Sequence, residues 1–319
     1  MNASPLFVNH FVKSGTPFPQ DLYVMFPIGY TSMTVNRMWK KRLPGLLFFA
    51  ILGLLRRLAI RPGAIGDFIL SLPALECLAP QSEDGKLEIW TSSAHVPLVR
   101  FTPHVRAIAS TGLDLLGVAE PPPRLLEELS AFDSIVSWYG ANRPEFRQYV
   151  ASLGLPFRFF PALPAADCRS HATDFYLDQV RTIVECRSDG IARICCKADD
   201  AGIAESGDFA VIHPFSGSAS KNWPIDRFRT MARGLERRMT VRWCAGPEDP
   251  ALPKAVYINN LYRLACWLAQ ARIYIGNDSG ITHLAAAAGA PVLALFGPSD
   301  PEIWAPRGAN VRVARWSAR

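Results

Sequence analysis

The chain reads as an α/β protein of two units, each built on a parallel sheet. Short apolar runs of strand length alternate with helical runs along the body, the pattern of parallel strands joined by crossover helices. Glycine-bearing turns follow the strands at 62–67 and 214–224. The strand–helix rhythm lapses over 161–208 and restarts at Phe209, and 319 residues suit two domains of roughly 100–200 residues each.

The first strand is expected at 58–61 (Leu-Ala-Ile-Arg), followed by the turn 62–67 and an apolar helix over 68–78. In that turn Gly63 and Gly66 let backbone N–H groups approach a ligand. Asp67 falls at the helix start, where the helix dipole favours a carboxylate at the mouth of a cleft; the same position also suits a plain N-cap. Further strands are expected at 87–90, near 105–109 and at 134–138, separated by helices at 94–101, 124–130 and 144–153. Ligands in such sheets bind beyond the carboxyl ends of the strands, so Asp67 and the loop 137–142 are candidates to line one crevice. Trp138 could stack on a sugar face or pack in the core, and Asn142 closes the same loop.

The segment 161–208 holds one helical piece, 173–184, and then a connection between the units. Strand 209–213 leads into Pro-Phe-Ser-Gly-Ser-Ala-Ser-Lys-Asn-Trp-Pro, then a helix from 226 to about 237. Hydroxyls at Ser216 and Ser218 with a single cation, Lys221, at a strand-to-helix junction suit a diphosphate, though a lysine there also suits plain solvent exposure. Strand 240–244 ends before Glu248, which is placed to accept from ribose hydroxyls or is simply solvated. A helix at 261–269 and a strand at 273–278 lead to Asp278-Ser279-Gly280. This turn offers backbone N–H groups, the Ser279 hydroxyl and the positive end of an alanine-rich helix, a seat for phosphate. His283, one turn into that helix, faces the same point. A last strand is expected at 310–314.

The formal net charge of +6 is confined to one end of the chain. Residues 1–57 carry Lys13, Arg37, Lys40, Lys41, Arg42, Arg56 and Arg57 against Asp21, and the remaining 27 bases and 27 acids cancel. A broadly basic nucleic-acid binder is therefore excluded. Within the extension, 43–55 is uncharged and mostly apolar; as a helix it spans about 20 Å, short of the roughly 30 Å hydrocarbon core. It is a poor secretory signal. Three readings stay open: an interfacial segment meeting anionic membrane through 40–57, an ordinary buried helix, or translation from a misassigned start. The seven cysteines are scattered, with no CxxC pair and no zinc spacing, which predicts reduced, mostly buried thiols in a cytosolic protein and no metal site.

Three motifs, Gly66-Asp67-Phe-Ile-Leu-Ser-Leu-Pro-Ala, Lys221-Asn-Trp-Pro and Gly276-Asn-Asp-Ser-Gly-Ile-Thr-His, in this order resemble glycosyltransferase family 9, the lipopolysaccharide heptosyltransferases and their relatives. The resemblance runs from about 58 to 307. It implies a GT-B fold, two Rossmann-like domains with parallel sheets facing a central cleft, with 58–200 on the acceptor side and 201–319 binding the nucleotide sugar. It also implies inversion without an essential metal or cofactor, with ADP-heptose as an expected donor and a cell-envelope glycan as acceptor. Asp67 would be the general base; Lys221, Asp278, Ser279 and Gly280 would hold the diphosphate, Glu248 the ribose, and His283 would match the histidine after the turn. The expected place of action is the cytoplasm, peripheral at the inner face of the membrane. Leu70 stands where many heptosyltransferases have His. Competing readings are a non-catalytic nucleotide-sugar-binding module and a nucleotide-sugar epimerase of the same architecture.

Overall fold

A computed structural model describes residues 56–79 and 86–317. The expectations for the N-terminal extension up to residue 55 lie outside these residues. Among the described residues ten strands form two five-stranded sheets, all parallel.

In the first sheet the order is β3-β2-β1-β4-β5, with β1 at Arg56–Ile60, β2 at Lys86–Thr91, β3 at Val105–Ala107, β4 at Ser134–Ser137 and β5 at Phe157–Phe159. Central β1 is buried on both faces from Arg57 to Ile60, as a parallel strand covered by helices must be. Helices α1 (Ile65–Cys77), α2 (Pro123–Ser130) and α3 (Pro144–Ser152) cross between strands, and α4 (Ala172–Arg181) packs on α1.

The second sheet runs β10-β9-β8-β6-β7: β6 at Phe209–His213, β7 at Thr240–Trp243, β8 at Ile273–Asn277, β9 at Val292–Phe296 and β10 at Val311–Arg315. Its helices are α5 (Ile225–Leu235), α6 (Leu261–Leu268), α7 (Gly280–Ala287) and the short α8 (Pro301–Trp304).

Each order reverses direction once, between β1 and β4 in the first sheet and between β6 and β8 in the second. Crevices form beyond the carboxyl ends of the strands at such reversals. They are flanked by the loops after β1 and β4 in one sheet, and by those after β6 and β8 in the other.

One apolar core runs through both halves, joining Phe68, Leu72 and Tyr176 to Trp267, Leu284 and Phe296. Separate clusters fill the α2/α3 face of the first sheet and the α5 face of the second. Helix α1 is apolar all round, buried without a break from Phe68 to Leu75, because the sheet, α4 and α7 enclose it.

Several local expectations are corrected. The helix expected at 94–101 is a 3-10 turn at Ser93–Leu98, where Pro97 removes a backbone donor. Helix α1 starts three residues earlier than expected and continues through Pro73; its N-cap is Ala64, so Asp67 sits in the first turn and caps nothing. Strand β5 is an addition to the expected strands, three residues long on the sheet edge and too short to show a period. The cysteines are not all reduced: Cys77 and Cys186 form a disulfide across 109 residues, with Cα atoms 5.2 Å apart. No sequence spacing announces that pair, because the docking of α4 on α1 brings it together. Of the remaining cysteines only Cys244 and Cys266 are buried.

Candidate active site

Beyond the end of β1 the chain turns through Pro62 and Gly63, the latter at φ +132°, a backbone region that favours glycine. Asp67 follows on the first turn of α1, part-buried. Among the described residues no hydrogen bond holds its carboxylate. Burial pushes its pKa above the usual carboxylate value; the Arg61 and Lys221 charges oppose that rise and Asp278 adds to it. Asp67 therefore feels charges from both halves of the chain.

On the other side, Asn277 at the end of β8 fastens the loop after β6. Its side-chain Nδ2 donates to the Pro214 carbonyl at 2.7 Å and its Oδ1 accepts from the Trp223 N–H at 2.9 Å. That anchoring brings Lys221 beside Asp278, Nζ to Oδ2 2.7 Å, with Asp278 buried and Lys221 half exposed. Ser299 donates its hydroxyl to the same Asp278 oxygen at 2.5 Å. Ser279 caps α7, its Oγ accepting from the Thr282 N–H at 3.4 Å. The Gly280 and Ile281 N–H groups ahead of it have no hydrogen-bond partner among the described residues and suit an anion.

The two sides meet through glycines. A Cβ on Gly280 would stand 2.8 Å from Ile65 Cβ, and one on Gly66 would stand 3.2 Å from the His283 ring. The start of α1, which carries Asp67, and the start of α7, the phosphate seat, therefore touch directly. His283 is buried at that contact, and desolvation lowers its pKa to about 4 against the pull of Asp278, so its ring is neutral near pH 7. Its Nδ1 has no hydrogen-bond partner among the described residues. Together the groups form a carboxylate facing a cation, a neutral imidazole and a helix N-terminus, an arrangement able to deprotonate a hydroxyl beside a bound diphosphate.

Other expected residues fall elsewhere. Trp138 is buried at 3% exposure and its indole N–H donates to Gln179 Oε1 at 2.7 Å, so it packs and does not present a sugar-stacking face. Asn142 is exposed on the loop after β4. Ser216 braces its own loop, its Oγ bonded to Asn222 Oδ1 at 2.8 Å, and Ser218 pairs with Ser220 at 2.9 Å on the exposed rim. Glu248 is exposed in the loop after β7, while its neighbour Asp249 turns inward to His213 Nε2 at 3.0 Å and the Gly246 N–H at 2.6 Å.

Sequence reasoning missed Arg61, Ser299 and Asn277. A lone arginine ending a buried apolar strand, and a hydroxyl in the Gly297-Pro-Ser299 turn after β9, were the available signals. Among the described residues no three His, Cys, Asp or Glu side chains gather so as to hold a metal ion, and no helix is long and apolar enough to cross a membrane.

The sequence and the fold have known counterparts. Residues 168–318 match the sequence model of glycosyltransferase family 9 (heptosyltransferase). The chain is similar to the heptosyltransferases of glycosyltransferase family 9. Lipopolysaccharide heptosyltransferase 3 of Escherichia coli K12 is 26% identical across 77% of this chain and 83% of its own length. Among solved structures, the family 9 glycosyl transferase of Veillonella parvula superposes with a TM-score of 0.65 at 17% identity, covering 82% of this chain and 86% of that one. The E. coli ADP-heptose lipopolysaccharide heptosyltransferase II gives 0.64 at 14% identity, covering 82% and 90%. These solved structures share the two-sheet fold of this chain.

Proposed function

We propose that this family 9 glycosyltransferase moves a sugar, with ADP-heptose the first donor to test, onto a lipopolysaccharide-like or other cell-envelope glycan, inverting the anomeric carbon without an essential metal. The observation that carries the reading is the contact between the starts of α1 and α7, which joins Asp67 to the Lys221–Asp278 pair and His283. In this reading 58–200 receives the acceptor and 201–319 the nucleotide sugar. Asp67 takes the proton from the acceptor hydroxyl as its oxygen attacks the anomeric carbon. The nucleoside diphosphate leaves from the opposite face, its growing charge met by Lys221, the Ser279 hydroxyl and the α7 N-terminus. Glu248 is assigned to the ribose because its loop follows β7 at the same end of the sheet, and Ser216 and Ser218 line the approach to Lys221.

The donor choice is supported by the E. coli relative, an ADP-heptose enzyme of the same fold. The place of action is proposed as the inner face of the cytoplasmic membrane, with residues 40–57 touching anionic lipid. The test is transfer from a panel of ADP-, UDP- and GDP-sugars to a truncated glycan acceptor, with Asp67→Asn as control and chelator added in parallel. Transfer from the ADP-sugar that persists in chelator and fails in Asp67→Asn supports the reading; donor binding without turnover on an authentic acceptor sinks it. A chain lacking residues 1–55 should lose liposome binding and keep turnover on soluble acceptor.

A further inference from the structure

Arg61, the residue after β1, is the most buried Arg, Lys, Asp or Glu among the described residues, with 1% of its surface exposed. Its hydrogen bonds among the described residues all end on neutral oxygens: Nε on Ser71 Oγ at 3.2 Å, one terminal nitrogen on the Pro62 carbonyl at 3.2 Å, and the other on the Asp67 carbonyl at 3.2 Å and the Tyr176 hydroxyl at 2.8 Å. The guanidinium also lies over the Tyr176 ring, 4.7 Å from its centroid. Burying a charge without an ionic partner is costly, and an apolar side chain of like volume would stabilise this core at least as well. The position therefore has a use for the charge itself.

That use is in what the guanidinium grips. Two of its bonds fall on the two ends of the Pro62–Asp67 turn and a third on Ser71, one helical turn further along α1. The α1 start is otherwise weakly held, because its N-cap Ala64 makes no side-chain cap bond. We infer that Arg61 is a positioning residue for sugar transfer: it clamps the turn that carries Asp67 and sets a buried positive charge behind the Asp67 carboxylate.

The inference rests on the reading of Asp67 as the base. The charged groups facing Asp67 are Arg61 from the end of β1, Lys221 from the loop after β6 and Asp278 from the end of β8; His283 of α7 is neutral. Burial and Asp278 both favour the protonated carboxyl, which cannot accept a proton. Lys221 is already paired with Asp278 and is engaged by the leaving diphosphate during transfer. Arg61 is the opposing charge that stays in place through the reaction, and burial screens it from salt. His95, beside it and stacked on Phe68, carries no competing positive charge, since burial and the Arg61 charge lower its pKa to about 4.

The experiment is the pH profile of kcat, with donor KM, in wild type, Arg61→Gln, Arg61→Lys and Asp67→Asn. In Arg61→Gln the acidic limb of kcat is expected to move to higher pH, giving about a tenfold or greater loss in mildly acid solution that recovers as pH rises, with donor KM within about twofold. Arg61→Lys is expected to keep the limb where wild type has it while kcat falls at every pH, because the charge remains and the fork of bonds is lost. A folded Arg61→Gln enzyme with an unmoved acidic limb overturns the inference, and so does full wild-type kcat in Arg61→Lys. Should Arg61→Gln fail to fold, the Asp67 carboxyl is titrated by 13C NMR in wild type and Arg61→Lys, with Asp67→Asn as the blank. An ionised carboxyl at neutral pH in both supports the inference; a protonated one in either overturns it. Retained activity in Asp67→Asn would instead defeat the base reading, a result separable from all of these.

Discussion

Lys221 and Ser299 reach the same oxygen of Asp278, at 2.7 Å and 2.5 Å, from loops that follow two different strands of the second sheet. The carboxylate thereby holds the lysine at the carboxyl end of the sheet before any donor arrives. Lys221→Ala should cost about 2–4 kcal/mol of transition-state stabilisation, read from kcat/KM, with Lys221→Arg recovering part of it. Ser299→Ala should give a smaller loss and Ser299→Thr close to none. A larger loss in Ser299→Ala than in Lys221→Ala would contradict this order of roles.

Asp67→Asn should lower kcat by roughly 10²–10⁴ with donor affinity kept, measured by steady-state transfer and by calorimetry with donor alone. Burial raises the Asp67 pKa, and a base works only when ionised. Wild-type kcat should therefore fall as pH drops through that raised pKa, and Asp67→Asn should lack this limb.

The α1–α7 contact has room for hydrogen alone at Gly280. Gly280→Ala would put its methyl 2.8 Å from Ile65 Cβ, so the helices must part. Donor affinity and turnover should both drop, while the melting temperature falls by only a few degrees, as for about 1–3 kcal/mol of overpacking. Normal donor binding in the alanine variant would show that this close approach is dispensable.

Two neutral, buried histidines make stability acid-sensitive. His95 and His283 both have folded pKa values of about 4 against an ordinary 6.5. A depressed histidine pKa means the unfolded chain binds protons first, so stability should be full above about 6.5 and decline as pH falls from there toward about 4. Chemical denaturation across that window should show a shallower decline in His95→Gln and His283→Gln than in wild type.

The Cys77–Cys186 disulfide should appear as a linked peptide pair in a non-reducing digest. Replacing both by Ser should destabilise by about 2–4 kcal/mol without changing donor KM, since the bond ties α1's far end to the chain after α4 and lies away from the Asp67 turn. Free thiols at both positions in the native protein would remove this element from the account.

The strand pattern was legible because parallel strands buried on both faces must be apolar throughout, as in 209–213, which is strand β6 at those bounds. Asp67, Lys221 and the Asp278 turn stand out in the sequence for a related reason: they are polar residues in short loops between long apolar runs, at strand ends where ligands of such sheets bind. Trp138 was ambiguous, since an aromatic after a strand serves equally as platform or core, and the position of Gln179 settled which. Short edge strand β5 and the 3-10 turn at 93–98 left no period long enough to read.

By itself the sequence determined the alternating parallel architecture, the glycine-bearing junctions after β1 and β8, and the few charges placed between apolar runs, because each is local and is written in consecutive residues. Only the tertiary structure decided that the starts of α1 and α7 touch, that Lys221 shares an oxygen of Asp278 with Ser299, that Arg61 is sealed beneath Asp67, and that Cys77 meets Cys186. Those pairings join residues from 6 to 217 positions apart on faces that periodicity cannot orient. Their geometry comes from packing two sheets through shared helices, and from the cost of leaving buried polar groups without partners.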